Sequence, residues 1–284
     1  MFTQISMAFG RLLVLSALFF LTSFNPISSK QLAKKDSFYL FFDLGDVLLT
    51  TTGSKFFGQN KGNFLLYLFK HGVPNSKALK KRLFELMDYR TGLPRGSATS
   101  GGEQIPGLMC EWLEGQISSQ DFVNTITNIA PSDPFFKSKV EGRLLINMVK
   151  LMLPEQLVAM HTTTNALHLF QDCCKHDRER VCILSNWDKS SVSLLKAKFP
   201  QIFAQLSEDQ IIFSGELGCK KPDTKIYQLA AQKLGVNPKH CILVDDQVSN
   251  IIAARKCGWK GILHLNEIET AKSLTYLYGF ACKA

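Results

Sequence analysis

The sequence predicts an α/β fold, a doubly wound and mostly parallel sheet with an inserted helical segment. Three observations predict it. Short apolar runs recur at Phe38–Phe42, Val181–Leu184, Ile211–Phe213, Cys241–Val244 and Gly261–Leu265, as buried strands require. From the second run onward they alternate with helical periodicity, the β-α-β order that builds parallel sheets. Between the first two runs, 142 positions separate Asp43 from Ser185, almost all helical in pattern and too many for a simple crossover. A chain of 284 residues that is 45% hydrophobic can bury the core of one such domain and its insertion.

Taken in order, the first element is a leader. Arg11 precedes an apolar run from Leu12 to Phe24, which Asn25-Pro26 ends and Ser28-Ser29 follows. That run matches a signal-peptide core and is short of the ~20 residues of a membrane helix. Segment 1–29 is therefore expected to be a signal peptide or membrane anchor, and the protein to be exported or membrane-associated. The eight cysteines include no Cys-x-x-Cys pair, so a zinc site is not expected. Their usage suits a reducing compartment, which opposes the leader and leaves a cytoplasmic location open.

The first strand run stops on Asp43, and Gly45 lets the chain turn. Leu44, Val47, Leu48 and Leu49 read as packing, and Thr50–Ser54 as a turn. Residues 55–153 are then expected to form a helical cap, between core segments 36–54 and 154–284. One apolar face is Phe64, Leu65, Leu68 and Phe69; another, behind the caps Asn75-Ser76, is Leu79, Leu83, Leu86 and Met87. Gly92–Gly102 reads as a loop. Leu108, Trp112 and Leu113 precede the stop Gly115, and Ser118-Ser119-Gln120-Asp121 opens a helix carrying Phe122, Ile126 and Ile129. Two longer helical patterns, Val140–Leu153 and Glu155–Cys174, meet at Pro154. Beyond the second strand run, helices are expected at Ser190–Phe199, Thr224–Leu234, Val248–Lys256 and Glu267–Tyr278, with Asp223 capping the second of them.

Polar residues punctuate the strand ends. Asp43 ends the first run and Ser185-Asn186 the second; Lys220-Lys221-Pro222-Asp223 precedes a helix, and Asp245-Asp246 ends a later strand with Asn250 one helical turn on. The carboxyl ends of strands are where open α/β sheets collect their ligands. In this order the four motifs resemble the haloacid dehalogenase (HAD) superfamily of phosphatases and dehalogenases, in its helical-cap (C1) phosphatase-like subgroup, over about residues 38–265. The resemblance implies a Rossmann-like core beneath a helical cap, and a hydrolase of small phosphomonoesters that works through an aspartyl-phosphate. Asp43 would be the nucleophile, splitting one hard displacement into two easier steps. Ser185 and Lys221 would stabilise the transferring phosphoryl group, with Asn186 contacting substrate. Mg²⁺ would be held by Asp43, the Gly45 carbonyl and Asp246, since clustered carboxylates demand a hard cation. Asp245 and Asn250 would support them, and Lys220 would be a surface charge.

Gly45 departs from the family pattern. Typical phosphatases of the superfamily carry a second Asp two residues beyond the nucleophile, as general acid and base. Here Asp46 comes one residue late. Two rival functions follow: a dehalogenase-like hydrolase, or an exported binding or effector protein that kept the fold and lost the chemistry. The formal charge of +9 is dispersed, with no basic stripe, so no nucleic-acid partner is expected. The expected partner is a small phosphorylated metabolite, with a possible membrane tether through the leader. Substrate identity and oligomeric state carry no sequence signal.

Overall fold

The computed structural model describes residues 38–51, 76–89 and 105–279. Its strands are β1 (Tyr39–Phe42), β2 (Leu49–Thr51), β3 (His161–Thr163), β4 (Val181–Ser185), β5 (Ile211–Phe213), β6 (Cys241–Asp245) and β7 (Lys260–Leu263). Five of them form one parallel sheet in the order β5-β4-β1-β6-β7. The chain winds outward from β1 through β4 to β5, crosses to the other flank at β6 and continues to β7. Winding reverses at β1, which makes its carboxyl end the switch point where a ligand crevice opens. All five predicted strand runs are strands of this sheet, and the fold is a Rossmann-like α/β fold.

Side chains alternate across the sheet with the period of two that a pleated strand imposes. Leu40, Phe42, Val181, Ile183, Ile242 and Val244 pack on one face, continuous with the apolar side of the helical insertion. Phe41, Cys182, Leu184, Cys241 and Leu243 pack on the other, against Ile226, Tyr227 and Ala254 of the later helices. Both faces are covered, which explains why these strands read as unbroken apolar runs. Cys182 and Cys241 are fully buried, and the seven described cysteines are free thiols.

Two secondary-structure expectations are corrected. Thr50 and Thr51 are not in a turn; they belong to β2. The single helix expected over Glu155–Cys174 is broken by β3 into helices Pro154–Ala159 and Ala166–Asp177. Thr162 and Thr163 are β-branched, so an extended backbone suits them, and the pairing that holds them is antiparallel to β2, with Thr51 opposite His161 and Leu49 opposite Thr163. The ribbon continues past its strands, because Thr164 donates to Leu48 O through its amide (3.0 Å) and to Val47 O through its hydroxyl.

Between β2 and β3 the described helices are Ser76–Tyr89, Gly107–Leu113, Ser119–Ile129, Pro134–Ser138, Val140–Val149 and Pro154–Ala159. Ser118 caps the third, accepting from Asp121 N at 3.0 Å. Asp133 caps the fourth and takes a forked ion pair from Arg82, which ties that cap to the helix Ser76–Tyr89. The insertion meets the core along a tight seam. A Cβ on Gly115 would stand 2.0 Å from Gly215 O, so both backbones can approach only without side chains there. Beside them, Ser214 donates to Leu113 O at 2.6 Å. Lys220, expected on the surface, is buried at this seam with its ammonium 3.5 Å from Glu114. The insertion supplies the carboxylate, a partner that the local sequence around Lys220 could not reveal.

Among the described residues no helix is long and apolar enough to cross a membrane. The leader, the Phe64–Phe69 face and the Gly92–Gly102 loop lie outside the described residues.

Candidate active site

Strand ends deliver most of the site. Asp43 follows β1, with its amide bonded to Val244 O of β6 at 2.9 Å, so the carboxylate is fixed at the centre of the sheet's edge. Ser185 is the last residue of β4, and Asp245 the last of β6, with Asp246 beside it. Lys221 comes from the loop before the helix Thr224–Lys233, joined to Pro222 by a cis peptide bond.

Lys221 is the hub. Its ammonium lies 2.9 Å from Asp43 Oδ1 and 2.6 Å from Asp245 Oδ2, and all three side chains are buried. Asp245 in turn accepts from Asn250 Nδ2 at 2.9 and 3.1 Å and from Gln247 N at 2.8 Å. That carboxylate is saturated by donors and serves to hold Lys221 and the start of helix Val248–Lys256. Asn186 uses both ends of its amide on one residue: Nδ2 donates to Lys221 O at 2.8 Å, and Oδ1 accepts from Lys221 N at 2.7 Å. It clamps the main chain that carries the lysine.

Electrostatics separate the carboxylates. Burial pushes Asp43 up to about 6, although Lys221 draws it down; Asp245 adds to the rise and a hydrogen bond with Ser185 opposes it. Asp246 goes further, to about 8, through burial and then the charges of Asp43, Asp245 and Asp46. For Lys221, complete burial works against the charge, but Asp245 and Asp43 outweigh it and raise the ammonium above an ordinary lysine. Oxygen atoms of Asp43, Asp245 and Asp246 all lie within 4.8 Å of one another. One ammonium serves three carboxylates, and Asp246 Oδ1 is buried with no hydrogen-bond partner among the described residues. A hard divalent cation is the group that such a surplus of buried carboxylate oxygen fits.

The turn after Asp43 bends on Asp46. That residue has φ 55°, in the left-handed region, and accepts from Thr50 Oγ1 at 3.1 Å. A Cβ at Gly45 would meet nothing within 4 Å. Asp43, Gly45, Asp46, Ser185, Asn186, Lys221, Asp246 and Asn250 line one cavity of about 210 Å³. All the predicted site residues except Asp245 therefore meet at a single opening, and Asp245 lies behind it, bonded to Lys221 and Asn250.

Sequence reasoning missed two neighbours of that cavity. His161 is buried at the ribbon's end, its Nδ1 2.8 Å from Leu157 O and its ring edge-on to Trp187 at 5.0 Å. A carbonyl only accepts, so the ring proton sits on Nδ1. Asp188 accepts from Ser191 N at 3.1 Å, as a helix cap does, and also from Ser119 of the insertion at 2.8 Å. Trp112 Nε1 donates to the same Ser119 hydroxyl at 3.0 Å, and Trp187 Nε1 to Ser191 at 2.7 Å. The signal for His161 is the β-branched run Thr162-Thr163-Thr164 behind it, which marks an extended segment.

The family model for haloacid dehalogenase-like hydrolase matches residues 40–258. The chain belongs to this family. Among curated relatives, this HAD-like hydrolase is 25% identical over 190 residues to a sesquiterpene phosphatase of Aspergillus oryzae, a match covering 61% of this chain and 93% of that protein. It is 34% identical over 92 residues to a haloacid dehalogenase-like hydrolase domain-containing protein of Arabidopsis thaliana, covering 32% of this chain and 29% of that one. The chain spans less than a third of the length of that relative, and 24% of a CBBY-like protein from the same plant. Among solved structures, it superposes on a HAD family enzyme of Bacteroides thetaiotaomicron with TM-score 0.50 and 17% identity, covering 81% of this chain and 94% of that one. A HAD-like family hydrolase of Porphyromonas gingivalis gives TM-score 0.50 and 15% identity, covering 84% and 98%. These two share its fold.

Proposed function

We propose that this HAD-like hydrolase is a Mg²⁺-dependent phosphomonoester hydrolase: Asp43 attacks phosphorus, the P–O bond to the alcohol breaks and the alcohol leaves with a proton from water, and water then cleaves the aspartyl phosphate to release inorganic phosphate. The observation that carries the proposal is the buried Asp43–Lys221–Asp245 chain standing beside Asp246, whose inner oxygen has no partner among the described residues. A lysine held by two carboxylates keeps its charge while buried, and can lean toward phosphoryl oxygens as negative charge builds on them. Ser185, which lines the same cavity as Asp43, is a second donor there. Asn186 acts through Lys221, whose main chain it clamps, in place of the substrate contact expected for it.

Asp43, Asp246 and the Gly45 carbonyl would hold the cation. When bound it offsets the surplus carboxylate charge and polarises the phosphoryl group. Asp245 and Asn250 would orient the ligands from behind. The intact Asp245-Asp246 pair disfavours a metal-free dehalogenase, which would leave that charge uncompensated. The helical insertion between β2 and β3 would act as the cap over a small phosphorylated substrate. Segment 1–29 would direct export or tether the protein to a membrane.

Hydrolysis of p-nitrophenyl phosphate by wild type and Asp43→Asn, each with Mg²⁺ and after EDTA, tests the proposal. Wild type with Mg²⁺ should be the one active sample; activity that survives Asp43→Asn or EDTA overturns it.

A further inference from the structure

Resting on that phosphatase reading, we propose that the substrate is the phosphate monoester of a hydrophobic alcohol, alkyl or aromatic, and not a sugar phosphate. The cavity above Asp43 has two unlike halves. Its floor holds the carboxylates, Ser185 and Lys221. The wall that the insertion contributes is formed, among the described residues, by apolar side chains such as Phe84, Met109, Trp112, Leu113, Met152 and Leu157.

Among the described residues, most polar atoms beside that wall are already committed, His161 Nε2 excepted. Trp112 Nε1 is committed to Ser119, Trp187 Nε1 to Ser191, and His161 Nδ1 to Leu157 O. Asp188 is taken by Ser119 and Ser191. Apart from Trp112, the polar side chains lining the cavity among the described residues, including Asp46, Thr51, His161, Asp188 and Gln247, belong to the core and the ribbon and not to the insertion. A sugar ring entering this space would lose the water on its hydroxyls and find few partners there. Unmatched burial costs roughly 1–3 kcal/mol per hydroxyl. An alkyl or aryl group loses nothing of that kind and gains from leaving water.

A homologous series separates the cases, because leaving-group chemistry can be held constant. Ethyl, butyl, hexyl and octyl phosphate, glycerol 3-phosphate and glucose 6-phosphate are all esters of primary alcohols. Their kcat/KM should rise by about three- to fourfold per methylene until the cavity fills, the effect of one buried CH₂. Both polyol esters should fall below hexyl phosphate. Met109→Gln should flatten the series, with Leu113→Gln as the second variant if the first does not fold. A series flat in chain length, polyol esters turned over best, or a folded Met109→Gln with an unchanged slope each overturn the inference.

Binding keeps this inference distinct from the catalytic one. Thermal shift of wild type by ethyl, butyl, hexyl and octyl phosphonate should grow with chain length. If no ester is hydrolysed and the shift still grows, the phosphatase reading falls and the apolar specificity stands. If the shift is flat as well, both fall.

Discussion

Ser119 donates its hydroxyl proton to Asp188 at 2.8 Å, joining the helical insertion to the core across 69 positions of sequence. Both residues are buried, and the same hydroxyl accepts from Trp112. Ser119→Ala would remove a donor from a buried carboxylate and strand an indole N–H. The expected loss is about 1–3 kcal/mol of unfolding free energy, measured by urea denaturation. An unchanged urea midpoint would show that water takes over both roles.

His161 gives the fold a sensitivity to acid. Burial lowers it to about 4 from an ordinary value of 6.5, against the raising effect of the Leu157 carbonyl. Between those two values the unfolded chain takes up a proton that the folded chain refuses. Its contribution is therefore fully present above pH 6.5 and is lost as pH falls toward 4, by up to about 3 kcal/mol. Asp43 and Asp246 are raised, so they work in the opposite sense as the solution is acidified. The informative quantity is thus the difference between wild type and His161→Gln, followed by urea denaturation from pH 7.5 to 4.5. That difference should shrink across the window; a constant gap would assign the acid sensitivity elsewhere.

Mg²⁺ should bind far more weakly to Asp246→Asn than to wild type. Asp246 Oδ1 is a buried carboxylate oxygen with no hydrogen-bond partner among the described residues, and the amide has no charge to offer a hard cation. Isothermal titration with Mg²⁺ alone checks this without any turnover. Equal affinity in the two proteins would move the cation away from Asp246.

Gly45→Asp should install the missing acid. The site for its Cβ is empty to 4 Å, so the added atom fits without displacing a neighbour. Without a positioned acid, wild type should turn over aryl phosphates far better than alkyl phosphates. The substitution should lift alkyl esters selectively, by up to roughly 10²–10⁴. Wild-type rates that are equal for ethyl and phenyl phosphate would mean that another group supplies the proton. Asp46, which lines the same cavity, would be examined next by Asp46→Asn.

The core was legible because its signals are local. Asp43, Ser185 and Asp245 each close a run of buried strand residues, and a polar residue in that place stands out against its neighbours. Lys221-Pro222-Asp223 is spelled out in consecutive positions. Features that depend on distant partners were not legible. The strands β2 and β3 have three residues each and pair across more than a hundred positions, too short for a periodic pattern to rise above its surroundings. Lys220 reads as one more solvated cation until Glu114 arrives from the insertion. Asn186 sits beside a candidate catalytic serine, and its neighbour suggested substrate contact; only the fold brings its amide against the Lys221 main chain.

The ribbon of β2 and β3 also bears on how this architecture can be altered. The chain leaves the ribbon at Thr51 and returns to it at His161, and those two residues are paired neighbours. Exit and entry are therefore about one strand spacing apart, roughly 4.8 Å. The ends of the insertion already meet, so its length can change away from its seam with the core without moving β1 or β4. A two-residue Asn-Gly turn has the geometry to join such strands directly. A shortened chain built that way would lay Asp43 and Lys221 open to bulk water. New substrate preferences could then be grafted above one unchanged catalytic floor.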